Sequence, residues 1–420
     1  MKPIRLLIWC PLVATGGGVR LLMKLISALA IRKDIAKIGL IVPQGSITLD
    51  QLAPLARPVV ELHEFVPPPL SSPPPAPLWI RLIQRAKQIF RQDPVPPILP
   101  LGHAALLAQA PHYDLMYTSW PHRNTFPEID IPIVCTFQDA IFFDFPEILT
   151  IRETLKEWTR AEQWLTRSAQ VILSSTATRE ALVRHFDFPP DRGVTIHHAI
   201  VPADAPPADA SPSEILKTIP ERYLIFPANI TTHKNHYHLL IAWARFAQRR
   251  QYPLVFTGFC TELLNQNYKK LPSIIDAARL SGVIQRHGLV AGKDFFALGY
   301  TSDEDIHHLV QRATALIMPT LAEGGGSFPV EEALCMGVPV LCSDIPVLRE
   351  HLAGRTARIG WFDPESPEAI RAALSDLIEH QAEYRQSAIA GMKDPRPSWD
   401  DVAAQYAEEF TKLVWEKAHG

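Results

Sequence analysis

Residues 321–339, LAEGGGSFPVEEALCMGVP, set three consecutive glycines between one acid, Glu323, and an acid pair, Glu331 and Glu332. Glycines let a backbone approach a ligand closely and turn its N–H groups toward it. The run before them, ATALIMPT, reads as a strand, and FPVEEALCM reads as a helix. Pro329 suits the first turn of that helix, and Gly337 with Pro339 suits its end. A helix N-terminus adds partial positive charge, which favours a phosphate. Carboxylates repel phosphates but accept hydrogen bonds from neutral hydroxyls. Glycines and acids together therefore predict a ligand with both phosphate and polyol, a sugar nucleotide. The helix dipole accounts for Glu331 in a first turn. It does not account for Glu323, which precedes the glycines.

The elements that must hold these residues follow from hydrophobic patterning. RLLIWC, KIGLIVP, DLMYTSW, IPIVCTF, AQVILSS and GVTIHHA mark strands in the first half. RYLIFPAN, YPLVFTG, FFALGY, ATALIMPT and VPVLCSD mark them in the second, with helical patterns between. Continuous apolar runs, rather than polar–apolar alternation, mean strands covered on both faces, the mark of parallel sheets with helical crossovers. A stretch rich in Ala and Pro at 201–221 is poor in core residues and reads as a linker. The expected fold class is α/β, with two doubly wound, Rossmann-like domains at 1–200 and 222–397. An amphipathic helix at 398–420 is expected to pack back toward the N-terminal domain. Ligands of such folds sit at the carboxyl ends of the strands, so the cleft between the domains is the expected site.

Bulk composition narrows the partners. At 420 residues the chain is long enough for two domains. Lys plus Arg number 41 against 44 Asp plus Glu, which gives no electrostatic case for a nucleic-acid partner. Five scattered cysteines, odd in number and without CxxC, suggest neither disulfides nor a zinc site and fit a reducing cytoplasm. The start, MKPIRLLIWCPLVA, has the basic-then-apolar look of a signal peptide. It runs on through glycines into a helical pattern, so it reads as a first strand. No apolar run is long enough for a transmembrane helix. The 39 prolines are about twice ordinary usage, and many fall in an insertion at 66–100. Within it, residues 77–92 form a basic amphipathic pattern, with Trp79, Leu82, Ile83, Ala86 and Phe90 on one stripe. Two readings stand: an outer helix or lid packed on its own domain, or contact with an anionic membrane surface.

The acid–glycine segment resembles the signature of retaining GT-B glycosyltransferases of family 4: an acid, a glycine-rich loop, Pro, a small apolar residue, then Glu-Ala. Aligned on Pro329-Val330 and Glu332-Ala333, the two family acids become Glu323 and Glu332, one residue further apart than usual. Counting Glu331 instead restores the spacing and shifts the other matches, so both alignments stand. The run FPANITTHKNHYHLLIAWARF resembles the family's strand–loop–helix that grips the donor pyrophosphate with an Arg and a Lys. Lys234 takes the Lys position, while Asn229 stands where Arg is usual and cannot replace its charge. TGGGVRL after the first strand resembles the loop that approaches the donor phosphate, through Gly17 and Gly18. VCTFQDAIFFDFPE resembles a segment whose His-Asp pair lies near the reacting centre; here the pair is Gln138 and Asp139, and a glutamine cannot exchange protons.

The resemblance implies a GT-B fold and sugar transfer from a nucleotide sugar to an acceptor hydroxyl with retention at the anomeric carbon. It implies catalytic roles for Glu323 and Lys234. Donor binding falls to Gly17, Gly18, Asn229, Lys234, Glu323, Gly325, Gly326, Ser327, Phe328 and Glu332. Gln138 and Asp139 are the expected acceptor or sugar contacts. No metal or other cofactor is expected, and the acids at 303–305 read as a helix start capped by Ser302 rather than as a metal motif. The expected partners are a UDP-, GDP- or ADP-sugar and a glycan or lipid-linked acceptor, in polysaccharide or glycolipid synthesis. The expected location is the cytoplasm, at the inner face of the membrane where 77–92 touches it. A nucleotide-sugar epimerase of the same fold and a catalytically silent sugar-nucleotide-binding scaffold are the alternatives.

Overall fold

The computed structural model describes residues 2–11, 17–67, 99–148, 151–189, 191–200, 213–266 and 275–419. The basic pattern at 77–92, residues 201–212 of the expected linker and the turn before Gly17 lie outside the described residues.

Two parallel sheets carry an α/β fold. The first runs in the order β3-β2-β1-β4-β5-β6-β7 and the second in the order β10-β9-β8-β11-β12-β13. In the first sheet these strands are β1 (Ile4–Trp9), β2 (Ile35–Pro43), β3 (Val60–Phe65), β4 (Leu115–Ser119), β5 (Ile133–Phe137), β6 (Gln170–Leu173) and β7 (Gly193–Thr195). In the second they are β8 (Leu224–Pro227), β9 (Leu254–Thr257), β10 (Phe295–Ala297), β11 (Ala315–Met318), β12 (Val340–Ser343) and β13 (Ile359–Phe362). The apolar runs explain the pairing. Leu6, Leu7, Ile8 and Trp9 of β1, and Leu224, Ile225 and Phe226 of β8, are fully buried, as strands covered on both faces require. β8 pairs with β9 through Leu224 and Leu254, and with β11 through Leu224 and Ala315.

Each sheet reverses its winding once. From β8 the chain steps outward to β9 and β10, then returns to lay β11 on the other side of β8. The helices leaving β8 and β11 therefore diverge, and a crevice opens at the carboxyl ends of those two strands. β1 and β4 make the equivalent point of the first sheet.

The chain divides into two compact units. One comprises Met1–Thr136, Leu155–Val171 and Ala403–Gly420, and the other Phe137–Thr154 and Ile172–Val402. In the first unit the C-terminal helix Trp399–His419 lays Tyr406 edge-on to Tyr117, and the Tyr406 hydroxyl lies 3.1 Å from Thr136 Oγ1. Gln170 donates to Glu409 at 2.8 Å on the same helix. In the second unit Phe226, Trp243, Phe246, Phe256 and Phe295 fill the core and hold β8, β9 and β10 in register. All five cysteines are free. Among the described residues no helix is long and apolar enough to cross a membrane.

Candidate active site

The site is built on the two loops that leave β8 and β11. After Pro227 the chain makes a short 3-10 turn, Thr232–Lys234, and reaches Asn235 in the left-handed region at φ 61°. Asparagine tolerates that conformation better than most residues. Its side chain also stitches the loops together. The Asn235 amide donates to the carbonyls of Pro319 at 2.8 Å and Pro364 at 2.7 Å, while its oxygen caps the next helix through the His238 N–H. The His233 carbonyl accepts from the Leu321 N–H at 2.7 Å and the Thr320 hydroxyl at 3.1 Å. With both loops fixed, Lys234 Nζ meets Glu323 Oε1 at 2.5 Å. The lysine side chain is 21% exposed and the glutamate 9%, so the pair is sheltered yet reachable. Lys234 and Glu323 are brought into contact.

Neighbouring imidazoles add no charge. His236 is buried against the rings of Phe226 and Phe256, and burial depresses its pKa to about 3. His233 is held at about 3 by burial first and by the charge of Lys234 second. The cationic character of this loop at neutral pH rests on the lysine.

The glycine loop has no room for side chains. A Cβ on Gly324 would overlap the Gln138 carbonyl, and one on Gly325 would strike the His198 ring. Gly326 sits at φ 117°, and a Cβ there would lie 2.5 Å from the His351 ring. The helix Phe328–Cys335 starts directly after, with Pro329 in its first turn. Among the described residues the N–H groups of Gly325, Gly326 and Ser327 have no hydrogen-bond acceptor. Such donors at a helix N-terminus suit a phosphate.

The two acids at the start of this helix part company. Glu331 is fully buried, with Oε1 accepting from Arg355 at 2.8 and 2.9 Å and Oε2 accepting from Arg396 at 3.0 Å. Glu331 stands in the first turn of the helix, as its dipole reading has it, and two largely buried guanidiniums hold it as well. Glu332 is half-buried.

The other expected residues fall as follows. Gln138 is buried, with its carbonyl against Gly324, and Asp139 Oδ1 accepts from the Ile141 N–H at 3.2 Å. Ser327 is buried and Phe328 half-buried. Asn229 is exposed, and its oxygen accepts from the Phe259 N–H at 2.7 Å, so it shapes the loop after β9. Gly17 and Gly18 open the helix Gly17–Ala30 after β1, in the first unit. Ser302 caps Asp303–Arg312 by accepting from the Asp305 N–H, and among the described residues no cluster of three His, Cys, Asp or Glu stands ready for a metal.

Four residues escaped the sequence reading: Asn235, Ser175, His198 and His351. Asn235 had a signal, an Asn at a helix start beside the expected lysine. The other three meet the glycines from more than 20 positions away in sequence or from another loop, and nothing local marks them. His198 and His351 also line a pocket of about 230 Å3 with Glu331, Glu350 and Arg396.

Residues 210–394 match the family described as glycosyl transferases group 1. The O-antigen chain mannosyltransferase B of Escherichia coli is 26% identical over 291 residues, covering 67% of this chain and 70% of that protein. The serotype-specific mannosyltransferase WbdA of Escherichia coli is 26% identical over 260 residues, 59% of this chain but 29% of that longer protein. Among solved structures, Anabaena HepE in complex with UDP and glucose superposes with a TM-score of 0.65 at 16% identity, covering 97% of this chain and 100% of that one. Sucrose-phosphate synthase from Thermosynechococcus elongatus gives 0.66 at 15%, covering 98% and 100%. At such identities the superpositions speak for the fold, which is GT-B.

Proposed function

Proceeding from a chain that carries a group 1 glycosyltransferase domain and is a glycosyltransferase, we propose that it transfers a hexose, mannose in the first instance, from a nucleotide sugar to a hydroxyl of a growing glycan. The observation that carries the reading is the Lys234–Glu323 contact at the carboxyl ends of β8 and β11, beside a glycine loop with unsatisfied N–H groups. The mannosyl preference draws on the names of the two Escherichia coli relatives. An acceptor in polysaccharide synthesis draws on the first of them.

In this reading the bond between the anomeric carbon and the diphosphate oxygen breaks, and its electron pair leaves with the diphosphate. Lys234 and the N–H groups of Gly325, Gly326 and Ser327 stabilise that charge as it builds, where preorganised donors act most strongly. Glu323 accepts from hydroxyls of the donor sugar, and Glu332 from the ribose. The acceptor oxygen attacks from the face the leaving group vacates, and its proton passes to the departing phosphate, which gives retention. Charge on the diphosphate is met by the lysine and the main chain, so the step calls on no metal. Asn229 completes the donor contacts of this unit, and Gln138 and Asp139 face the sugar or acceptor. The basic segment 77–92 brings the enzyme to an anionic membrane surface where its acceptor is lipid-linked.

The test is a panel of UDP-, GDP- and ADP-sugars, read first by thermal shift, because a ligand of the native state raises its melting point. Labelled donor is then incubated with and without acceptor glycan. Label arriving on the acceptor with unchanged anomeric configuration supports transfer with retention. Conversion of the donor to its epimer without acceptor favours the epimerase, and tight binding with no turnover favours the scaffold.

A further inference from the structure

One carboxylate outside the set above reaches the glycine loop through a chain of hydrogen bonds. Glu350 lies on the short helix Pro346–His351. Its Oε1 accepts from the Thr176 N–H at 2.8 Å and from His197 Nε2 at 2.6 Å, and its Oε2 accepts from the Ala177 N–H at 3.2 Å. Thr176 and Ala177 open the helix Thr176–Phe186, whose first N–H groups have no partner within the helix. Ser175 caps the third by accepting from the Thr178 N–H at 3.0 Å. The same hydroxyl donates to the Gly324 carbonyl at 2.8 Å. All of these residues belong to the second unit.

The geometry points to Glu350 as a positioning residue for the glycine loop, acting through the helix Thr176–Phe186 and the Ser175 hydroxyl to aim the Gly325 N–H. A trans peptide is planar, with its carbonyl and N–H on opposite edges. Fixing the Gly324 oxygen on Ser175 therefore fixes the direction of the next N–H, that of Gly325. Three glycines in a row have little preference of their own, so an outside anchor is needed to select one conformation. Glu350 supplies it by holding the helix start that carries Ser175. Burial raises the Glu350 carboxyl pKa, but the Thr176 N–H and His197 more than offset it, and the group stays an anion below the usual carboxylate range. Glu350 touches no expected ligand atom; its effect is relayed.

The catalytic half of this inference rests on the diphosphate reading of the loop, but the structural half does not, and the test separates them. Backbone 15N order parameters of the full chain, labelled at glycine, are followed in Glu350→Ala and Ser175→Ala, with Ser175→Thr as the conservative return. Those of Gly325 and Gly326 should fall from the rigid value of about 0.85 to below about 0.6 in both alanine variants, while the amides of β8 and β11 keep wild-type exchange protection, and Ser175→Thr should restore them. In turnover assays kcat should fall about tenfold with KM for donor changed less than threefold, because aim and not occupancy is lost. Wild-type order at the glycines in both alanine variants overturns the inference, as does a loss of protection spread evenly over the core strands. If no nucleotide sugar turns over even in the wild type, the donor reading fails while the order parameters still decide the anchor.

Discussion

Glu323 and Glu331 stand eight residues apart in one segment, and the protein treats them oppositely. Glu331 is 1% exposed at its side chain and shared between Arg355 and Arg396, with the His351 ring 3.5 Å away. Glu323 has Lys234, itself 21% exposed, as its ion-pair partner. A carboxylate surrounded by guanidiniums has no capacity left for a ligand and cannot lose a partner cheaply. One paired with a single flexible ammonium can trade that partner for a phosphate and take up hydroxyls in return. Saturation marks the structural acid and a replaceable partner marks the working one.

The sharpest way to break this contrast is to remove each acid and ask what fails. Glu331→Ala leaves two guanidiniums buried without their counter-ion and should cost about 3–5 kcal/mol of stability. Urea denaturation reads that loss, and an unchanged midpoint would mean the cluster is incidental. Lys234→Ala should keep its denaturation midpoint yet lose roughly 10²–10³-fold in kcat, about 2.7–4 kcal/mol of transition-state stabilisation. Glu323→Gln should fall in the same direction by about tenfold, since an amide still accepts from hydroxyls. Activity loss in Glu331→Ala out of proportion to its unfolding would erase the distinction. Glu332→Ala should mainly raise the donor KM, by about tenfold or 1.4 kcal/mol, with kcat retained.

Half of this contrast was legible in the sequence. Glu323, Lys234 and the glycines announce themselves because ligand chemistry demands residue types at close spacing. Glu331 reads as a first-turn acid, but its partners Arg355 and Arg396 do not, because they come from beyond β12 and meet it through packing alone. The same limit shows in the sheets. Strands buried on both faces, such as β1, β8 and β11, appear as unbroken apolar runs. β3 and β13 were missed, and both are edge strands with partly exposed residues: only Val60 of VELHEF is buried, and IGWF alternates in burial. An edge strand needs fewer apolar residues, so its pattern fades into that of a loop. Asn229 reads in sequence as a lost cation, and in the structure its oxygen holds the Phe259 N–H, a role set by a loop 30 residues away.

The smallest expected effect concerns the neutral imidazoles around both acids. His198, near the glycines, and His233 and His236, near Lys234, are each held at about 3 by burial. Their unfolded-state value is about 6.5, so the unfolded chain binds the extra protons first. The sign follows: stability from their neutrality is whole above about pH 6.5 and is lost progressively as pH falls toward 3. At pH 6 each buried imidazole should cost roughly 1 kcal/mol, before carboxylates near their own pKa begin to contribute. His236→Phe keeps a ring between Phe226 and Phe256 and cannot take a proton. Its urea midpoint should therefore vary less between pH 7 and 6 than that of the wild type. An identical slope in both proteins would mean that His236 takes up its proton in the fold as readily as in the unfolded chain, and that burial does not hold the ring neutral.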